Sequence, residues 1–145
     1  MQANMDLIKV LLIEDNPGDI RLIQESFKEK RFLAELIIIQ DGEEALNYLK
    51  RRGEHEYEAP PDLILLDLNL PKLDGREILA EIKSDNELRR IPVIVLTSST
   101  EERDIYKSYD LNANCFISKP VDLDSFLNVL RSIENFWLTI VKLPG

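Results

Sequence analysis

The chain has 145 residues, and 27 Asp plus Glu against 18 Lys plus Arg give it a formal net charge of −9. This length suits one domain, with enough buried surface for a core that needs no disulfide or structural metal. One cysteine and one histidine exclude a disulfide framework, a zinc site and the HExxH proteases. The acidic charge argues against nucleic-acid binding, which needs clustered basic side chains.

The N-terminal segment and the apolar runs show neither a secretion signal nor a membrane span. The sequence MQANMDLIK lacks the basic start and long apolar stretch of a signal peptide. No apolar run approaches the roughly 18 residues that cross a membrane. We therefore expect one cytoplasmic domain over residues 1–145, with an apolar extension at about 135–145 and no membrane or nucleic-acid partner.

Five short apolar runs are the predicted strands. They are Ile8–Ile13, Leu36–Ile39, Leu63–Leu66, Ile91–Leu96 and Cys115–Ile117. Near-continuous apolar runs, rather than alternating ones, are typical of strands buried on both faces of a parallel sheet. Buried helices are disfavoured because each run is short and is bounded by polar or turn residues.

Helix signals follow each predicted strand. Asn16 precedes Pro17 as an N-cap, and Asp41 precedes an apolar stripe. A third helix is predicted from Gly75 to Lys83, a fourth after the capping box that begins at Ser99, and a fifth after Asp122. Five βα units with right-handed crossovers predict an α/β protein with a doubly wound parallel sheet and helices on both faces.

Charged and hydroxyl side chains follow four of the five strands. Glu14 and Asp15 come after the first strand, Asp67 after the third, Thr97 after the fourth and Lys119 after the fifth. In an open α/β sheet, ligands bind beyond the carboxyl ends of the strands. We therefore expect these side chains to converge on one edge.

Three carboxylates at one place repel one another unless a cation lies among them. Oxygen ligands without thiolate or imidazole suit Mg²⁺ or Mn²⁺. A lysine and a hydroxyl opposite the metal are what a phosphoryl group needs for charge neutralisation and hydrogen bonding. The site could therefore perform in-line phosphoryl transfer with a carboxylate nucleophile.

Other functions of doubly wound proteins are disfavoured. The loop after the first strand, Glu14 to Asp19, is acidic and would repel the phosphate that dinucleotide-binding proteins and flavodoxins hold there. No GxGxxG or Walker A sequence is present. A phosphatase of the haloacid dehalogenase type would carry a second Asp where this chain has Asn69.

Together these residues resemble the receiver domain of two-component response regulators, the CheY-like fold. The resemblance spans about residues 6–134 and rests on Glu14-Asp15, Asp67-Leu-Asn-Leu-Pro71, Asp74-Gly75, Thr97-Ser98 and Lys119-Pro120. It implies the strand order 2-1-3-4-5. The long connection before the third strand and the tail containing Phe-Trp are most similar to the small regulators of bacterial phytochrome histidine kinases.

The resemblance implies that Asp67 is the phosphoacceptor and that Mg²⁺ or Mn²⁺ is the cofactor. Glu14, Asp15, Asp67 and the backbone carbonyl of Asn69 would hold the metal. The alternative for Asp67 is an N-cap, which the intervening Leu68-to-Pro71 segment disfavours. The alternative for the two acids after the first strand is that they are solvated loop residues.

The remaining implied roles concern the phosphoryl group and its signal. Thr97 would donate a hydrogen bond to a phosphoryl oxygen, although a strand-terminal Thr is often only a good β residue. Lys119 would pair with the phosphoryl group, and a cis peptide bond is implied before Pro120. Phe116 stands where the family has a switch aromatic, and an ordinary core aromatic is the alternative.

The implied function is a stand-alone response regulator that takes a phosphoryl group from a histidine kinase. The similarity to the small phytochrome-associated regulators implies, more narrowly, that this kinase is a phytochrome. It would catalyse its own phosphorylation and slow dephosphorylation, act on no other substrate, and signal by protein contact. An unphosphorylated adaptor is the rival, disfavoured by the retained charges. A phosphatase or phosphomutase would need a substrate cap that this length does not provide.

The apolar tail predicts a homodimer. Its large apolar residues are Phe136, Trp137, Leu138, Ile140, Val141 and Leu143. With Ile105, Tyr106 and Tyr109 of the fourth predicted helix and Phe116 of the fifth strand, they could form a patch too large to remain exposed. A two-fold interface through helix four, strand five, helix five and the tail would bury it. The alternative is a tail folded onto its own domain.

Overall fold

The computed structural model describes residues 8–29, 34–53, 59–68, 70, 73–97, 115–119 and 124. The strands are β1 Ile8–Ile13, β2 Ala34–Ile39, β3 Leu63–Asp67, β4 Val93–Thr97 and β5 Cys115–Ser118. The described helices are α1 Pro17–Glu29, α2 Gly42–Leu49 and α3 Gly75–Ser84, with a short 3₁₀ helix at Leu88–Arg90.

The five strands form one parallel sheet in the order β2-β1-β3-β4-β5. Every residue of β3 and β4 is buried, as is nearly all of β1, because these strands lie inside the sheet and are covered on both faces. The predicted α/β class, parallel sheet and strand order are confirmed.

Side-chain caps fix where the described helices begin. The Asn16 Oδ1 accepts a 3.0 Å hydrogen bond from the Asp19 N–H at the start of α1. Asp41 accepts bonds from two backbone N–H groups of α2, and Asp74 accepts one from α3. The caps predicted at Asn16 and Asp41 are confirmed, and each satisfies donors that the helix leaves unpaired.

One face of the sheet packs against α2 and α3. Its core contains Leu11, Ile13, Ile64, Leu66, Val93 and Val95 from the strands and Ala45, Leu49, Ile78, Leu79 and Ile82 from the two helices. Successive strand residues point to opposite faces, so Val10, Leu12 and Leu65 point to the other side. The buried apolar residues of α1 (Ile20, Ile23 and Phe27) lie outside the α2–α3 core, so α1 covers that other side.

β4 begins at Val93, and the prediction that it begins at Ile91 is wrong. A 3₁₀ helix at Leu88–Arg90 precedes the strand, and Ile91 is its C-cap, with its backbone N–H bonded to the Leu88 carbonyl. Asp85 starts this turn, because its Oδ1 accepts hydrogen bonds from the backbone N–H groups of Glu87 (2.9 Å) and Leu88 (3.0 Å). Such Asx-type bonding is a local signal that apolar periodicity does not contain.

The fourth predicted helix, most of the fifth and the C-terminal extension lie outside the described residues. In the part of the chain that the structure describes, no helix is both long and apolar enough to span a membrane.

Candidate functional site

The carboxyl ends of four strands bring the predicted site residues to one edge of the sheet. Asp67 and Thr97 are the last residues of β3 and β4, while Glu14 and Lys119 directly follow β1 and β5. The parallel register aligns these ends, and the backbone N–H of Lys119 donates a 2.9 Å hydrogen bond to the Thr97 carbonyl. Topology therefore gathers residues that are far apart in sequence.

Three polar side chains at this edge are buried within the described fold. Glu14 is 0% exposed, Thr97 1% and Asp67 2%. Burying an ionised carboxylate costs several kcal/mol unless a cation or hydrogen-bond donors compensate. Two buried carboxylates at one edge therefore need positive charge.

Lys119 supplies part of that charge. Its Nζ lies 3.0 Å from Glu14 Oε1, 3.0 Å from Asp19 Oδ2 and 3.2 Å from Asp67 Oδ1. The lysine side chain is only 16% exposed, so water screens these ion pairs weakly. One ammonium group thus faces three carboxylates.

The pKa values of Glu14 and Lys119 reflect this imbalance. Burial raises the pKa of Glu14 to about 7; the bond to Lys119 opposes that shift and the charge of Asp67 adds to it. Burial alone would lower the pKa of Lys119, yet its bonds to Asp19 and Glu14 and the charge of Asp67 raise that pKa above its ordinary value. Lys119 is therefore a fixed cation, whereas Glu14 titrates near neutral pH.

The acid cluster fits a divalent cation. Carboxylate oxygens of Glu14, Asp15 and Asp67 all lie within 4.8 Å of one another, and Asp15 is the more exposed of the three. Within the described residues, the buried Glu14 Oε1 has no partner of hydrogen-bond geometry, although Lys119 lies 3.0 Å away as an ion pair. An incompletely satisfied buried oxygen in an all-oxygen donor set fits Mg²⁺ or Mn²⁺.

Two residues proposed from the resemblance, and the side chain of a third, lie outside the described part of the structure. Asn69 and Pro120 fall outside the described residues. Phe116 contributes its backbone to β5, where it pairs with Val95, and its side chain is not among the described ones.

Asp19 is a participant that the sequence interpretation missed. It lies in the first turn of α1 and reaches Lys119 with its Oδ2 at 3.0 Å. The available signal was an acid shortly after Glu14 and Asp15, in the first turn of the helix that follows the strand. Sequence alone could not tell a contact with Lys119 from the ordinary preference for acids at helix N-termini.

Gly75 supports the segment that follows Asp67. A Cβ at this position would lie 2.7 Å from Leu68 Cα and 2.8 Å from the Asp67 carbonyl oxygen, both backbone atoms. The Gly75 N–H also donates a 3.2 Å bond to the Leu68 carbonyl. Because only a hydrogen atom fits here, α3 can approach the end of β3 closely.

The parallel sheet with an acid cluster at its carboxyl edge is consistent with a receiver domain, and comparison with known proteins agrees. The model of the response regulator receiver domain matches residues 10–131. The chain belongs to this family, as the resemblance predicted.

The relatives include response regulators, one of which is described as a phytochrome response regulator. Response regulator Rcp1 of Synechocystis sp. is 50% identical over 136 residues, which cover 94% of this chain and 92% of Rcp1. The crystal structure of the phosphorylated cyanobacterial phytochrome response regulator RcpA is 51% identical, has a TM-score of 0.76, and matches over 96% of this chain and 99% of RcpA. The Mn²⁺-bound form of Rcp1 is 48% identical with a TM-score of 0.75, over 95% and 99% of the two chains.

Proposed function

We propose that this protein is a stand-alone response regulator that receives a phosphoryl group from a histidine kinase on Asp67, in a reaction that needs Mg²⁺ or Mn²⁺. The observation that carries the proposal is the position of the buried Asp67 carboxylate. It ends β3 inside the acid cluster, with the Lys119 ammonium 3.2 Å from its Oδ1.

The proposed chemistry uses the chain's own groups as follows. A carboxylate oxygen of Asp67 attacks the phosphorus of a phosphohistidine, the new O–P bond forms, and the N–P bond breaks with its electron pair returning to the imidazole. Lys119 pairs with the phosphoryl oxygens, and the buried Thr97 hydroxyl donates a hydrogen bond to one of them. Water later attacks the phosphorus and releases inorganic phosphate, which regenerates Asp67.

The divalent cation has a defined place in this proposal. Glu14, Asp15 and Asp67 would hold it, together with the backbone carbonyl of Asn69. When bound, it neutralises the charge on the transferring phosphoryl group and relieves repulsion among the carboxylates.

The partner proposed is a histidine kinase of the phytochrome type, supported by the description of RcpA as a cyanobacterial phytochrome response regulator. The net charge of −9 favours protein partners over nucleic acid. We place the regulator in the cytoplasm as one receiver domain over residues 1–145. Output would pass by protein contact through Phe116 and a surface of helix four, strand five and helix five.

The test is incubation of the full chain with a small acyl-phosphate donor, followed by intact-mass measurement. A mass increase of one phosphoryl group that requires Mg²⁺ and disappears in Asp67→Asn is expected. Asp85→Asn, which removes an acid at the far end of α3, is the matched control and should be labelled like the wild type. Full labelling of Asp67→Asn would refute the site, and an unlabelled wild type would favour the adaptor.

A further inference from the structure

Asp19 differs from the other two carboxylates that contact Lys119. Glu14 and Asp67 belong to the acid cluster that fits a metal, whereas Asp19 does not. Its backbone N–H is bonded to Asn16 Oδ1 at 3.0 Å, which fixes the first turn of α1. From that fixed position its Oδ2 lies 3.0 Å from Lys119 Nζ, and its side chain is 25% exposed.

Lys119 lies against two of the carboxylates that would hold a divalent cation, Glu14 and Asp67. The ammonium group already lies 3.0 Å from Glu14 Oε1 and 3.2 Å from Asp67 Oδ1, and both carboxylates are buried. A metal ion that takes up these two residues weakens their attraction for Lys119 and repels it. Of the three carboxylates that contact Lys119, Asp19 alone lies outside the cluster that would hold the metal.

We propose that Asp19 is a positioning residue that retains the Lys119 ammonium at the site when a divalent cation takes up Glu14 and Asp67. Asp19 thereby raises the metal affinity. Without it, metal binding would leave the largely buried Lys119 ammonium group with no carboxylate of its own. Lys119 also stays where an incoming phosphoryl group can meet it. The inference rests on the proposed function, since it concerns the metal and the lysine that phosphoryl transfer would use.

A purely structural role for Asp19 makes a different prediction. An acid in the first turn of a helix interacts with the helix dipole and stabilises the fold. That effect would be the same whether or not Lys119 is present. A coupling between Asp19 and Lys119 in metal affinity would not arise from it.

The first experiment is calorimetric titration of the full chain with Mg²⁺. Asp19→Asn should weaken binding about threefold to fivefold, the size expected of a partly exposed ion pair. Asp19→Glu keeps the charge and should retain most of the affinity. Glu25→Gln removes a charge from an exposed position of the same helix and should change the affinity less than about twofold, because that charge is screened.

A double-mutant cycle with Lys119→Met decides the mechanism. In the Lys119→Met background, Asp19→Asn should alter Mg²⁺ affinity by less than about twofold, because its partner is gone. An equal effect in both backgrounds, or no effect in the wild type, would overturn the inference. If Lys119→Met does not fold, the comparison of Asp19→Asn with Asp19→Glu decides. Equal weakening of Mg²⁺ binding by these two variants would overturn the inference.

Labelling of the same samples with the acyl-phosphate donor tests the phosphorylation of Asp67 separately from the role of Asp19. A wild type that is not labelled at Asp67 refutes the proposed function, while the cycle still measures the coupling between Asp19 and Lys119. A labelled wild type with an uncoupled cycle refutes the role of Asp19 alone.

Discussion

Glu14 shows how one buried side chain makes the stability of the fold depend on pH. The folded state raises the pKa of this carboxyl from 4.5 to about 7, chiefly by burial. Between these values the folded protein binds more protons than the unfolded chain. Stability must therefore fall as pH rises through this window, and the loss is complete above pH 7.

We predict that the metal-free protein is less stable at pH 8 than at pH 5.5, and that Glu14→Gln removes most of this difference. Because only about 1.5 pH units of the shift from 4.5 to about 7 lie above pH 5.5, the difference is at most about 2 kcal/mol. Urea unfolding of both proteins at the two pH values measures it. Glu81 and Asp85 have lowered pKa values and titrate below the window, so they do not contribute. Parallel pH profiles for the two proteins would contradict the assignment.

At the level of elements, the contact between α3 and the end of β3 holds the segment after Asp67. We predict that Gly75→Ala destabilises the protein by about 1 to 3 kcal/mol, because the added Cβ would overlap backbone atoms that cannot move away cheaply. Urea unfolding measures the loss. Labelling of Gly75→Ala by the acyl-phosphate donor should also be slower than that of the wild type, since the Asp67 carbonyl must shift.

Gly18→Ala is the matched control for this substitution. Among the described residues, its Cβ would meet the Asn16 side-chain oxygen alone, at 3.2 Å, and the helix gains from replacing glycine. A loss of stability equal to that of Gly75→Ala would show that the close approach of α3 is not the cause.

The elements also show which features the sequence could predict. β1, β3 and β4 were recognisable because strands covered on both faces must be apolar throughout, and their ends located Glu14, Asp67 and Thr97 without coordinates. The contact between Asp19 and Lys119 was not predictable, since it depends on how far a side chain reaches from the first turn of α1. The 3₁₀ helix before β4 was missed because its signal is hydrogen bonding by Asp85 rather than periodicity.

For the whole molecule, the acid cluster predicts that metal binding and folding are linked. We expect Mg²⁺ to raise the melting temperature, since a ligand that binds only the folded state adds about 2.7 kcal/mol at a hundredfold excess over Kd. Asp15→Asn, which removes the more exposed acid of the cluster, should reduce the shift. A melting temperature that stays constant up to several millimolar Mg²⁺ would argue against the metal site.

The predicted homodimer is also a property of the whole molecule. Strand five of its interface is described, whereas helix four, most of helix five and the tail lie outside the described residues. We predict a dimer for the intact chain and a monomer for a chain that ends at Asn135, because the tail carries six large apolar residues. Molar mass in solution distinguishes the two. A monomeric intact chain, with or without phosphorylation, would contradict the dimer, and a dimer that survives truncation would exclude the tail from the interface.

The most direct test of the account is to locate the phosphoryl group itself. After labelling with an acyl-phosphate donor and Mg²⁺, borohydride reduction converts a phosphorylated aspartate to homoserine, which peptide mass spectrometry can assign to one position. We predict homoserine at position 67 alone. Modification at Glu14, Asp15 or Asp19 instead, or labelling with an unmodified Asp67, would contradict the central claim.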